Sequence, residues 1–219
     1  MTPVAGIPLM HVEKPQADRS LRMTKRIFDL VMASLVVLIL SPLLLITALL
    51  VKLEDGGPVI FKQQRIGRRG EPFWLYKFRS MVPDAERIRA EELESQNEAD
   101  GRLFKMRRDP RVTKIGRFIR RFSIDELPQL FNVLKGEMSL IGPRPALEHE
   151  VKQYKAHVRR RLDVRPGLTG LWQVSGRSDL SWDDAVRLDL YYVDNWSLVQ
   201  DIVILFRTVR AVFSSRGAY

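Results

Sequence analysis

The sequence predicts a mainly helical protein with one small β-hairpin, in which a membrane-entering helix and amphipathic interfacial helices pack on a compact polar domain. Three observations carry that prediction. Leu30 to Val51 is 22 residues without a charged side chain, long enough at about 1.5 Å per residue to match a hydrocarbon core of roughly 30 Å. Two runs rich in branched and aromatic residues, Val59–Gln64 and Phe73–Phe78, flank a Gly67–Gly70 turn and read as a hairpin. Beyond the hairpin, most of the chain repeats its apolar residues at helical spacing.

Residues 1–19, with Pro3, Pro8 and Pro15, read as a loose tail. A helix beginning near Ser20 or Thr24 leads into the apolar run, and residues 20–52 form the membrane element. That run exceeds a signal-peptide core and has no cleavage pattern after it, so it is expected to stay in the mature chain. Ser41-Pro42 falls near its midpoint. Proline removes a backbone donor and crowds the carbonyl four residues earlier, kinking or breaking a helix, and a neighbouring Ser can re-satisfy the freed carbonyl. Basic residues stand on both flanks: Arg19, Arg22, Lys25 and Arg26 before, Lys52, Lys62, Arg65, Arg68 and Arg69 after. Basic flanks prefer the cytoplasmic side. A kinked single-pass anchor and a re-entrant helix leaving by the face it entered are both compatible with this pattern.

Glu54 to Pro58 ends the helix with turn chemistry, and residues 53–219 form the polar domain. After the hairpin comes an acidic, solvated helix over 85–99. From Gly101 to Ser123 the charge reverses, with nine Lys or Arg against one Asp. Ile115, Phe118, Ile119 and Phe122 make an amphipathic helix there, its polar side carrying Arg117, Arg120 and Arg121. It fits either a core-facing helix with a wet back or one lying on anionic headgroups. Further helices are expected over 125–135 with Gly136 as the stop, then 146–162, 181–195 and 198–213. The third opens with the capping pattern Ser181-Trp182-Asp183-Asp184. The last is too short and too charged to span a bilayer, and either the interface or the core is open to it.

The net charge of +10 and pI near 10.1 predict an anionic partner: nucleic acid, phospholipid headgroups or a phosphorylated substrate. With no Cys, a disulfide framework, a thiolate nucleophile and Cys-ligated zinc are excluded. His11, His149 and His157 are scattered and make no metal-ligand spacing. No helix-turn-helix, RNP or zinc pattern supports a nucleic-acid partner.

Asp125 and Glu126 are adjacent carboxylates at a helix start, within Ser123-Ile124-Asp125-Glu126-Leu127-Pro128. Capping explains such a pattern, with Pro128 favouring Asp125 as the cap. Around them in sequence stand Lys77 and Arg79 on one strand face, Arg120, Arg121, Arg144 between two prolines, Arg165 and Arg177. A carboxylate pair ringed by cations is what phosphoryl transfer uses: a nucleophile, an acid for a divalent cation, and positive charge against phosphate.

KFRSM (77–81), DELPQLFNVLKGEMSLIGPRP (125–145), RPGLTGLWQVSGR (165–177) and YYVDNWSL (191–198), following a Ser-Pro apolar helix, resemble the bacterial sugar transferase family, the monotopic polyprenyl-phosphate phosphoglycosyl transferases. The likeness covers about residues 20–219, in the style of the small members made of the catalytic domain alone. It implies a re-entrant helix broken at Ser41 and Pro42 and a catalytic domain on the cytoplasmic face of the bacterial inner membrane. It also implies transfer of a hexose-1-phosphate from a UDP-sugar to undecaprenyl phosphate, with UMP leaving, as the first step of exopolysaccharide or O-antigen-type glycan synthesis. Asp125 would be the nucleophile and Glu126 the ligand of Mg²⁺. Lys77, Arg79, Arg120 and Arg144 would contact phosphates, and Arg177 and Asp189 would help hold the nucleotide. The expected partners are the UDP-sugar, undecaprenyl phosphate and inner-membrane lipids, with no nucleic acid. Assembly with further copies of the chain, the choice between glucose and galactose, and the role of the tail stay open.

Overall fold

The computed structural model describes residues 19–88, 109–176 and 180–213. The expected tail and most of the acidic 85–99 helix lie outside these residues; of the latter only α2, Ala85–Ile88, is described.

Helix α1 runs unbroken over Arg19–Asp55. Its apolar stretch, of mean hydropathy 2.8, is long enough to cross a membrane. The expected break at Ser41-Pro42 does not interrupt the element. Pro42 cannot donate to the carbonyl of Leu38, and Ser41 Oγ donates to that oxygen instead, at 2.8 Å. The helix stops where the turn chemistry begins, with Gly56 at φ +72 and its N–H on the Lys52 carbonyl.

The hairpin forms as expected, with β1 (Ile60–Ile66) antiparallel to β2 (Pro72–Phe78). Helix α3 (Lys114–Arg121) is capped by Thr113. It abuts the end of β2 so closely that a Cβ on Gly116 would lie 2.0 Å from the Ser80 carbonyl oxygen. The helix expected from 125 is shorter: α4 spans Gln129–Lys135 and is preceded by a 3₁₀ turn, Ile124–Glu126. Gly136, at φ 89, ends it in the left-handed conformation that glycine adopts without steric cost.

The 146–162 helix divides into α5 (Glu148–Lys152) and a 3₁₀ run, Val158–Asp163. A parallel pair that periodicity did not announce, β3 (Ser139–Ile141) with β4 (Gly167–Thr169), leads into the short α6 (Leu171–Ser175). Helices α7 (Trp182–Asp194, capped by Ser181) and α8 (Leu198–Phe213) stand where the sequence puts them. Helix α8 sends Ile204 into the core while Val199, Val203 and Phe206 stay exposed.

The main core gathers Leu130, Val133, Met138, Leu140 and Ile204 around the first half of α1, with Ala33 fully buried against them. Burying one such Leu contributes about 1.5–3 kcal/mol. A separate cluster packs Val51, near the end of α1, on Phe78 and Ile119. Between these two anchor points Leu38, Ile39, Leu45, Ile46 and Leu49 are exposed.

Polar contacts repeat this two-ended attachment. At the start of α1, Arg26 donates to the Val133 and Leu134 carbonyls. Lys25 pairs with Asp29 and Asp201, and Asp29 accepts the Leu140 N–H. At the far end Asp55 pairs with Arg79, and Glu54 accepts the Ile115 N–H. One polar domain therefore holds both ends of the apolar helix.

Candidate active site

Three elements converge on the carboxylate pair. Strand β2 carries Lys77 one residue before its end, the last turn of α3 carries Arg120, and the Ile124–Glu126 turn holds Asp125 and Glu126. The capping explanation of the dyad does not hold. Ser123 sits at φ 55, ψ 23 and its side chain caps nothing, while Asp125 lies inside the 3₁₀ turn with α4 starting four residues later. Left-handed backbone at a non-glycine residue costs roughly 1–2 kcal/mol. It stands two residues before Asp125.

Asp125 is 9 % exposed. Burial pushes its carboxyl up to about 6; the Lys77 cation opposes this, the neighbouring Glu126 charge adds to it, and Arg120 opposes it again. Glu126 is more open, and its Oε1 accepts from Lys77 Nζ at 2.7 Å. One carboxylate is thus buried and poised near neutrality, and its neighbour is half-buried and salt-bridged. That division suits a nucleophile beside a charge-handling acid.

A residue that sequence reasoning left among the basic flanks joins the site. Arg65 donates to Gln63 Oε1 at 2.6 Å and to the Pro145 carbonyl at 3.1 Å. Burial and the Arg144 charge push it down to about 10, against the attraction of Glu150 and Glu126. The hairpin register places it: Phe61 pairs with Lys77 and Gln63 with Leu75, so Gln63, Arg65 and Lys77 share one face.

Arg144 donates to Glu150 Oε1 at 3.1 Å, and the Leu147 N–H donates to the other carboxylate oxygen at 2.8 Å. Burial raises the Glu150 carboxyl, but Arg144, that N–H and Arg65 outweigh it and hold the group below its ordinary value.

Arg79 is only 7 % exposed and is committed to Asp55, at the end of α1; its Nη1 is buried without a hydrogen-bond partner. Asp189 belongs to a layer behind Arg144. It accepts from Arg161 Nε at 2.9 Å, and burial pushes it up to about 6 against the Arg161 and Arg144 charges. Arg161 in turn lies over the Tyr154 and Trp182 rings. Neither Arg79 nor Asp189 bonds to the dyad. Arg177 lies outside the described residues.

Among the described residues no three side chains of ligating type gather as a metal site. The dyad fits a weaker demand. Mg²⁺ is commonly held by one or two carboxylates, with waters and substrate phosphates completing its shell, and Glu126 is open enough to supply one.

The family model for bacterial sugar transferases matches residues 20–215. Over 216 residues the chain is 47% identical to the undecaprenyl-phosphate galactose phosphotransferase of Salmonella typhimurium, a match covering 97% of this chain and 45% of that protein. Over 219 residues it is 44% identical to the exopolysaccharide production protein ExoY of Rhizobium meliloti, covering 98% and 97%. The undecaprenyl-phosphate glucose phosphotransferase of Komagataeibacter xylinus is 45% identical over 210 residues, covering 89% and 37%. The chain spans less than half of the Salmonella relative and nearly all of the Rhizobium one. It belongs to the bacterial sugar transferase family.

Proposed function

We propose that the chain transfers a hexose-1-phosphate from a UDP-sugar to undecaprenyl phosphate in two steps, as the opening reaction of exopolysaccharide-type glycan assembly. In the first, an Asp125 carboxylate oxygen attacks the β-phosphorus of the donor. A P–O bond forms to Asp125, the bond from that phosphorus to the bridging oxygen breaks, and UMP departs with the oxygen. In the second, a phosphate oxygen of undecaprenyl phosphate attacks the same phosphorus, the bond to Asp125 breaks, and the carboxylate returns. Covalent catalysis suits two substrates of opposite solubility that use one site in turn.

The observation that carries this reading is Asp125 itself, buried, near pKa 6 and set among Lys77, Arg120 and Glu126. At pH 7 and above such a group is mostly ionised yet poorly solvated, which favours attack on phosphorus. Lys77, Arg120, Arg65 and Arg144 offset the diphosphate charge and hold the phosphorus in line. Glu126 would hold Mg²⁺, which supplies further charge neutralisation at the diphosphate when bound. Arg79 acts on this reading through the strand it ties to the end of α1, and Asp189 by fixing Arg161 behind Arg144.

The re-entrant arrangement, with the domain in the cytoplasm, is part of the proposal. Its support is the attachment of both ends of α1 to one polar domain. A crossing helix would have to pull one anchor away or draw polar surface through lipid. Basic residues on both flanks favour the cytoplasmic side. The direct test is UMP release from a panel of UDP-hexoses with undecaprenyl phosphate and Mg²⁺ present. One hexose should give undecaprenyl-diphospho-sugar in step with UMP, and Asp125→Asn should give neither. Near-normal turnover by Asp125→Asn would overturn the nucleophile assignment.

A further inference from the structure

Arg68, Arg69, Lys135 and Arg165, with Glu71 and Glu137, line a cleft of about 440 Å³, within the range of small-ligand sites. It lies between the hairpin turn and the C-terminal end of α4. The dyad precedes the other end of that helix, which is about 10 Å long at 1.5 Å per residue. The cleft is therefore separate from the transfer site.

Its charge is poorly balanced. Glu137 accepts from Asn132 Nδ2 at 2.7 Å and keeps its charge, which acts on Lys135. Among the described residues Arg22, Arg26, Arg68, Arg69 and Arg165 form no ion pair with a carboxylate. Several bond only to carbonyls: Arg26 to Val133 and Leu134, Arg68 Nε to Asp163 at 3.1 Å, and Arg165 Nε to Gly136 at 2.8 Å. The end of a helix offers about half a negative charge, and with Glu71, Glu137 and Asp163 it still leaves Arg22, Arg26, Arg68, Arg69, Arg165 and Lys135 in excess. Burial and then Arg22, Arg69 and Arg165 hold Arg68 below its ordinary pKa. The group repels itself. Beside it α1 begins, with Leu21, Met23 and Ile27 exposed on its first turns.

We propose that this cleft binds the phosphate of an anionic phospholipid headgroup, whose acyl chains run along the exposed first turns of α1. The bound lipid would fix the N-terminal end of α1 at headgroup depth, at the end of that helix opposite to Asp55 and Arg79. An anion there relieves the repulsion, and the apolar turns beside it select a lipid over a free phosphate.

The test titrates the chain in neutral detergent with phosphatidylglycerol and counts bound lipid by native mass spectrometry, with phosphatidylcholine and inorganic phosphate as parallel arms. Phosphatidylglycerol should bind and the other two should not. R68Q/R69Q should weaken it about tenfold or more, since each cation near a phosphate contributes separately. R117Q/R121Q, which removes the same charge from the exposed side of α3, should leave it within about twofold. Should R68Q/R69Q fail to fold, the single variant at exposed Arg69, R69Q, carries the comparison with about threefold weakening. Equal losses in the two double variants, equal binding of phosphatidylcholine, or displacement by inorganic phosphate would each overturn the assignment. D125N should retain the lipid while losing UMP release, so this inference and the transfer reading stand or fall apart.

Discussion

Replacing Asp125 with Asn should move stability and activity in opposite directions. The carboxyl has an ordinary value of 3.8 and is pushed up to about 6 in the folded chain, first by burial. The folded state therefore holds this proton more tightly than the unfolded state. Its contribution to stability is fully present below pH 3.8 and is lost as the pH rises through about 6. At pH 8 ionised Asp125 costs the fold about 3 kcal/mol, from a separation of roughly two units at 1.36 kcal/mol each. At pH 4 the cost is less than about 1 kcal/mol. Asn carries no charge, so Asp125→Asn should be more stable than the parent at pH 8 and nearly equal to it at pH 4. Urea unfolding followed by tryptophan fluorescence at the two pH values reads the difference. A helix cap would behave otherwise, since Asn caps as well as Asp and stability would then not depend on the substitution. A variant no more stable than the parent at pH 8, or a gain of the same size at pH 4, would rule out burial as the origin of the raised pKa.

Lys77→Met removes the cation that most strongly opposes the raised Asp125 pKa; the low-pH limb of UMP release, expected near 6, should move to higher pH and turnover at pH 7 should fall by about 10². Arg65→Gln should raise the KM for the UDP-sugar and leave the Asp125 limb where it is, because Arg65 does not act on that carboxyl. The chain has no native cysteine, so Ser20→Cys and Gln64→Cys, both exposed and on either side of the apolar run, report topology cleanly. Neither should react with an impermeant maleimide on intact cells and both should react after permeabilisation; labelling of only one from outside would mean that α1 crosses.

Long patterned elements were legible from the sequence: the apolar helix, the hairpin, the Ser181-capped helix and the 198–213 helix all form where spacing and turn residues put them. The expected effect of Ser41 on the carbonyl freed by Pro42 is present as a single hydrogen bond. What periodicity did not reveal was built from short pieces. Strands β3 and β4 have three residues each and pair in parallel across a long connection, so no local alternation marks them. The 146–162 segment has helical composition, yet Asp163 and Val164 lead out of a 3₁₀ run, and only a single α-helical stretch, α5, survives.

In the site, Lys77, Arg120 and the dyad were brought together as the pattern implied. Arg79 was not, because Asp55, 24 residues earlier, claims it; a tertiary ion pair of that kind leaves no mark on local spacing. Arg65 was overlooked for a different reason. Counted as a flanking charge it looked topological, and only the hairpin register puts it on the face of Lys77.

Covalent catalysis by Asp125 is read most plainly from a mass spectrum of the chain after brief exposure to UDP-sugar and Mg²⁺ with no polyprenyl acceptor. An added hexosyl-phosphate is expected on the peptide that contains Asp125, absent from D125N and discharged when undecaprenyl phosphate is supplied. An unmodified peptide from an enzyme that goes on to form product at full rate would contradict it.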